Sequence, residues 1–270
     1  MSAAVTTVPP STAPTANAAQ AGAGSGRNYS RVLLKLSGEA LAGTTTGAGG
    51  VTGAGGLDPG EIDQIAREIK AAKDTGAQIA LVVGGGNFIR GAQLAKIGHI
   101  HQGTADYMGM LATVINGLAL REGLKAVGVD SRVMSAIEIK AVAEPFIRGR
   151  ALRHMDKGRV VILVGGTGNP FCTTDTCAAL RARELDCQVI LKATKVDGVY
   201  SADPRKDPTA TKYDRLTFSE AISKNLAVMD MTAFTMCQEG RIPIIVFDFR
   251  QSGSVRRIVQ GEKMGTLIDA

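Results

Sequence analysis

The 270-residue sequence contains no tryptophan, and aromatic residues make up only 4% of it. A surface that grips single-stranded nucleic acid by stacking bases on rings is therefore poorly supplied. Net charge is +6, but the lysines and arginines are scattered along the chain. That balance suits small acidic ligands and gives no basic cluster for a nucleic-acid partner. No stretch approaches about 18 consecutive apolar residues, so no membrane span is expected. There are only four cysteines, Cys172, Cys177, Cys187 and Cys237, none in C-x-x-C spacing. A chain this long needs no disulfides to hold a core, so they read as free thiols of a reducing cytoplasm, with Cys177 and Cys187 inside. His99 and His101 hint at a metal pair, but no third ligand or spaced carboxylate joins them, and the metal ligands stay unassigned. The sequence also lacks G-x-x-x-x-G-K-[ST] and any H-R-D with D-F-G, which excludes P-loop enzymes and protein kinases.

What is present is ordinary globular composition, 44% hydrophobic and 21% charged. The first 28 residues are Ala, Thr, Pro, Ser and Gly with almost no large apolar side chain. They read as a disordered tail, lacking the basic start and apolar centre of a signal peptide. Residues 29–270 read as one folded domain. Inside it, residues 43–56, GTTTGAGGVTGAGG, form a Gly-rich loop insertion. Loops this long are either functional or tolerated surface additions.

Apolar strands alternate with helical patterns through the domain. Residues 32–36, 79–83, 124–129, 160–164, 189–192 and 242–247 read as strands. Asp58 caps a helix with Pro59 at its first position. A second helix, residues 106–121, carries a stripe of Met108, Leu111, Ile115 and Leu118 that reads as core. Further helices fall near 146–155, 176–185 and 256–259. The expected fold class is α/β, a three-layer αβα sandwich with a mainly parallel central sheet.

Four strands end in unusual polar loops: KLSGE from Lys35, GGGNFIRG from Gly84, GGTGNPFCTTD from Gly165, and KATKVDGVYSAD from Lys192. In open α/β sheets the carboxyl ends of strands converge on the ligand crevice. Glycines let backbone N–H groups approach phosphate oxygens. Lys35, Arg90 and Lys195 add positive charge. Each loop alone is weak evidence; together they predict a phosphate-rich ligand.

At these residues the sequence resembles the amino acid kinase superfamily and, within it, the bacterial uridylate kinases. The motifs are KLSGEAL, GGGNFIRG, DYMGMLATVINGLA, GTGNPFCTTD, KATKVDGVYSADP and VMDMTAFT, spread over residues 31–268. The resemblance implies transfer of the γ-phosphoryl of ATP to UMP, with Mg2+, in pyrimidine nucleotide synthesis. It implies catalytic roles for Lys35, Arg90, Asp175 and Asp230. ATP contacts would come from Lys35, Leu36, Ser37, Gly38, Gly86, Arg90, Thr194, Tyr200 and Asp203. UMP contacts would come from Gly85, Asp106, Thr167, Gly168, Asn169, Pro170, Phe171, Cys172, Thr173 and Thr174. The family's short segment after the first loop carries an allosteric GTP contact. Here that segment is longer and Gly-rich, and the contact would fall on Gly43, Thr44, Thr45, Thr46, Gly47 and Ala48. GTP as activator, UTP as inhibitor and a cytoplasmic homohexamer are implied as well, with no nucleic-acid or membrane partner.

Two other readings stay open at this stage. Acetylglutamate and carbamate kinases share the Lys-containing first loop, whereas GTGNPFCTTD and DYMGM argue for a nucleotide acceptor. A non-catalytic nucleotide sensor on the same fold would more naturally have lost Lys35, Arg90 or Asp230.

Overall fold

The computed structural model describes residues 28–43, 56–89, 99–226 and 228–270. In chain order these form β1 (Arg31–Leu36), α1 (Pro59–Lys73), β2 (Gln78–Val83), α2 (Gln102–Ala126), β3 (Ser131–Ser135), β4 (Glu144–Pro145), α3 (Arg148–Asp156), β5 (Val160–Val164) and α4 (Thr174–Glu184). Then follow β6 (Val189–Thr194), β7 (Val199–Tyr200), β8 (Lys212–Tyr213), β9 (Arg215–Thr217), α5 (Phe218–Ser223), α6 (Met231–Gly240), β10 (Ile244–Asp248), α7 (Ser254–Val259) and β11 (Thr266–Asp269). Nine strands make one sheet in the order β4-β3-β5-β2-β1-β6-β10-β11-β9, and β7 pairs with β8 beside it. Within the nine-stranded sheet only the β10–β11 pair is antiparallel.

The central strands read as unbroken apolar runs because both of their faces are covered. One face of β1, through Val32, Leu34 and Leu36, packs under α1, α2 and α7. The other, through Leu33, packs under α3, α4, α5 and α6. This is the expected three-layer α/β sandwich. Asp58 caps α1 as predicted, accepting from the Gly60 and Glu61 N–H groups at 2.8 and 3.0 Å. Cys177, Cys187 and Cys237 are buried free thiols, and burial pushes them up to about 11, 12 and 12.

Two expectations are corrected. Residues 124–129 are not a strand: α2 runs to Ala126, and the next strand begins only at Ser131, after a turn at Gly128. The apolar run there is the last turn of a helix packed on α1, which strand-like composition imitates. The second correction concerns the α2 stripe. Leu111 and Ile115 are about half exposed, at 49% and 47%. The helix turns its small residues, Ala112, Thr113, Asn116 and Gly117, inward instead. A side chain at Gly117 would start 2.4 Å from Val164 Cγ1, so only glycine lets the helix lie this close to β5.

Candidate active site

Strand register builds the centre of the site. Lys35 on β1 is the direct partner of Lys192 on β6. In-register residues on parallel strands project to the same side, here the side covered by α4. The first turn of α4 brings Asp175 to both. Lys35 Nζ lies 2.8 Å from Asp175 Oδ1, and Lys192 Nζ lies 2.7 Å from Oδ2. Lys192 also donates to the Val228 carbonyl. All three side chains are about 85–90% buried. Burial works to raise the Asp175 carboxyl, but Lys35 and then Lys192 outweigh it and hold it below the usual carboxylate range. Burial depresses the Lys192 ammonium, Asp175 opposes that, and Lys35 adds to it.

A second carboxylate is fastened beside the first. Asp230 caps α6, accepting from the Ala233 N–H at 2.9 Å. It also accepts from the hydroxyls of Thr173 and Thr176. The Thr173 oxygen in turn caps α4, taking the Asp175 and Thr176 N–H groups at 3.1 and 3.2 Å. The cap is thus Thr173, and α4 starts at Thr174, two residues before the expected 176–185. Asp175, Thr173 and Asp230 are locked into a single unit.

Thr173 and Thr174 also line a cleft of about 210 Å3, with Gly85 and Gly86 after β2, Thr167 and Cys172 after β5, and Asp106 on α2. Asp106 is held in place: it accepts from Gln102 Nε2 at 2.8 Å and from the Phe171 N–H at 2.9 Å. Phe171, in the cleft loop, keeps a left-handed backbone, φ 65°, and is 74% exposed. Such a conformation costs a non-glycine residue about 1–3 kcal/mol and persists only where neighbours fix it. The Asp106 bond is one such tether. Gly168, Asn169 and Pro170 complete the same loop, where the Asn169 N–H donates to Thr167 Oγ1 at 3.2 Å.

Strand order separates the remaining predicted residues. The cleft loops follow β2 and β5, on one side of β1. Thr194, Tyr200 and Asp203 follow or end β6, on the other side. The Thr194 hydroxyl donates to the Val196 carbonyl at 2.6 Å, and Tyr200 donates to Asp197 at 2.7 Å. Lys35 stands between the two sets. Leu36 is fully buried in the core, so it offers only its backbone. Ser37 precedes a short 3-10 turn at Gly38–Ala40. Gly43 is described; Arg90 and residues 44–48 lie outside the described residues. Lys192 and Thr176 are functional candidates that the sequence reading passed over. A lysine inside the apolar run VILKAT, mirroring the one in LLKLS, is the signal that could have found Lys192.

A larger concavity of about 460 Å3 opens beside Ser131, Arg132 and Glu144 at the start of β3 and on β4. Among the described residues no glycine-rich loop lines it. The smaller cleft, where the loops after β2 and β5 meet α2 and the start of α4, is the better candidate.

Among the described residues no group of three His, Cys, Asp or Glu could hold a metal. Mg2+ in phosphoryl-transfer sites is held by phosphate oxygens, water and one or two carboxylates. A site with Asp230 beside Thr173 fits a metal that arrives with a nucleotide.

Two lysines clamped by one aspartate, at the open end of a parallel sheet and flanked by glycine-rich loops, define a phosphate-handling α/β protein. The sequence pattern of the amino acid kinase family matches residues 30–248. The chain is similar to the crystal structure of UMP kinase from Bacillus anthracis, at 40% identity and TM-score 0.84, over 90% of this chain and 97% of that one. UMP kinase from Ureaplasma parvum matches at 33% identity and TM-score 0.81, over 90% and 100%. Uridylate kinase from Archaeoglobus fulgidus matches at 29% identity and TM-score 0.65, over 88% and 99%. The chain belongs to the amino acid kinase family.

Proposed function

We propose that this chain is a UMP kinase, transferring the γ-phosphoryl of ATP to the phosphate of UMP to give UDP and ADP. The observation that carries this reading is the Lys35–Asp175–Lys192 cluster, set between an acceptor cleft on one side of β1 and the β6 loop on the other. A phosphate acceptor is already largely dianionic near neutral pH, its second pKa being about 6, so no general base is required. The work is alignment and neutralisation of charge on the moving group.

In this reading Thr167 and Asn169 meet the uracil edge, Asp106 the ribose, and Gly85 and Thr174 the acceptor phosphate near the start of α4. Lys35 and Arg90 neutralise the transferring group, with Gly38 and Gly86 offering backbone N–H groups to ATP. Leu36 and Ser37 flank that grip, while Thr194, Tyr200 and Asp203 hold the nucleoside of ATP. Asp175 positions the lysines. Mg2+ bound with ATP would offset negative charge on the transferring phosphoryl group, and Asp230 would be the carboxylate to hold it. Family resemblance also supports a homohexamer, activated by GTP and inhibited by UTP. The half-exposed stripe of Tyr107, Leu111 and Ile115 supplies a face for such contacts.

The test is ADP release from ATP and Mg2+ with UMP, CMP, AMP, acetylglutamate or carbamate, with and without GTP. UMP alone is expected to support turnover. Turnover on acetylglutamate or carbamate, or nucleotide binding without turnover on any acceptor, overturns the reading.

Gly38→Ala tests the donor side. A Cβ there would lie 2.6 Å from the Gly86 nitrogen and 2.9 Å from the Gly84 oxygen, both backbone atoms with little room to give. The two phosphate loops must part, and the affinity for ATP is expected to fall at least about tenfold. Calorimetric titration with ATP measures this, with UMP affinity as the internal control.

A further inference from the structure

Two asparagines form a closed amide pair beneath the glycine loops. Asn116, in the middle of α2, is fully buried, and Asn87, in the loop after β2, is 4% exposed. Asn116 Nδ2 donates to Asn87 Oδ1 at 2.8 Å, and Asn87 Nδ2 donates to Asn116 Oδ1 at 3.0 Å. Each amide spends its second N–H on a backbone carbonyl: Asn116 on Gly84 at 2.7 Å, Asn87 on Gly56 at 2.7 Å. Those carbonyl contacts fix which end of each amide is nitrogen, so the reciprocal pairing follows from the network. All four amide N–H groups are used.

A buried amide pair is a poor way to fill space, because it must be fully satisfied to avoid a desolvation cost. An apolar residue at 116 would pack the helix as well. What the pair does, and a leucine could not, is hold a loop at a fixed distance. Its partners are Gly84, which opens the Gly84–Gly86 loop, and Gly56, the last residue of the Gly-rich insertion. The Asn87 oxygen also lies 2.6 Å from where a Cβ of Gly38 would stand. The pair therefore meets the Lys35 loop, the Gly84 loop and the far end of the insertion at one point.

We propose that Asn116 is a positioning residue: through Asn87 it sets the Gly84–Gly86 backbone against the Lys35–Gly38 loop for donor-phosphate binding. This rests on the kinase reading above. Displacement of a positioned group by about 1 Å costs on the order of 100-fold in rate. Asn116→Asp keeps the shape and the bond from Asn87, and removes both donations.

The experiment uses the full chain in four forms: wild type, Asn116→Asp, Asn87→Ala and the double variant. Directly titrated ATP affinity, kcat, both KM values and Tm are measured on each. ATP affinity is expected to fall about tenfold or more in each single variant, and kcat/KM for ATP about 100-fold, with a smaller loss of UMP affinity because Gly85 of the same loop meets the acceptor phosphate. The double variant should be no worse than the poorer single, because both act through one pair. Should Asn116→Asp not fold, Asn87→Ala, on the loop side, carries the same comparison. A lower Tm with ATP affinity and kcat/KM within twofold of wild type overturns the proposal and leaves the pair merely structural; so do fully additive losses. If the wild type binds ATP but turns over no acceptor, the kinase reading fails, and the ATP titrations still decide the positioning role.

Discussion

Asp175→Asn is expected to lower turnover by about 100- to 1000-fold and to cost about 3–5 kcal/mol of stability. Both effects have one origin. Asp175 sits between two ammonium groups at 2.8 and 2.7 Å, and all three side chains are largely buried. Removing its charge leaves two buried cations facing each other. They must lose protons, admit water or move apart, and each response unmakes the positive pocket between the loops. The pH profile makes the origin checkable. Lys35 and Lys192 outweigh burial and hold the native Asp175 carboxyl below its ordinary value. Its stabilising contribution is therefore complete above the unfolded carboxylate value of about 4. It is lost as pH falls through the depressed native value. The stability gap between wild type and variant should thus shrink in acid. Lys192 has the opposite sign. Its native ammonium is depressed by burial, so it costs stability at neutral pH and less as pH climbs toward about 10.4. The variant, lacking the carboxylate that opposed this, should recover more on the alkaline side. Thermal unfolding of both proteins from acid to alkaline pH measures this. A gap that is constant with pH, or below about 1 kcal/mol, would show that Asp175 does not organise the lysines.

Much of this site was legible in the sequence because its parts are local. Strands covered on both faces read as apolar runs, and the polar residues that interrupt their ends stand out. Lys35 could be named that way, whereas Asp175 and Asp230 were implied by the family resemblance; Asp175 lies 2.8 Å from Lys35, and Asp230 is tied to the start of α4 through Thr173 and Thr176. The pairing could not be read. Lys192 lies in an apolar run on another strand, and only the β1–β6 register puts it opposite Lys35. The fastening of Asp230 by Thr173 and Thr176 spans more than fifty residues. Helix α2 misled for a related reason. Its large apolar residues looked like the core, but the helix approaches the sheet through Ala112 and Gly117, where small size is the signal. Asn116, a polar residue on that inward face, has no periodicity to announce it.

Lys35→Met should behave as the counterpart of Asp175→Asn, with activity lost and stability kept. Without Lys35, Asp175 still holds Lys192 at 2.7 Å, so one buried carboxylate faces one ammonium. The repulsion that Lys35 exerts on Lys192 also disappears. Lost and gained electrostatic contributions offset each other, and methionine fills the lysine stem's space. Stability should change by less than about 1–2 kcal/mol, well under the cost of unpairing a buried charge. Turnover depends on something different. In the proposed reaction Lys35 is the charge at the end of the central strand, between donor and acceptor loops. An interaction made chiefly with the transferring group is lost from kcat rather than from KM, by about 100- to 1000-fold. Arginine is not expected to rescue it, because a planar fork does not occupy the point position of an ammonium between glycine-lined loops. Steady-state kinetics with UMP, alongside thermal unfolding, separates the outcomes. A Lys35→Met protein as unstable as Asp175→Asn would make Lys35 a structural partner of the cluster. One with wild-type kcat would move the chemistry away from β1 altogether.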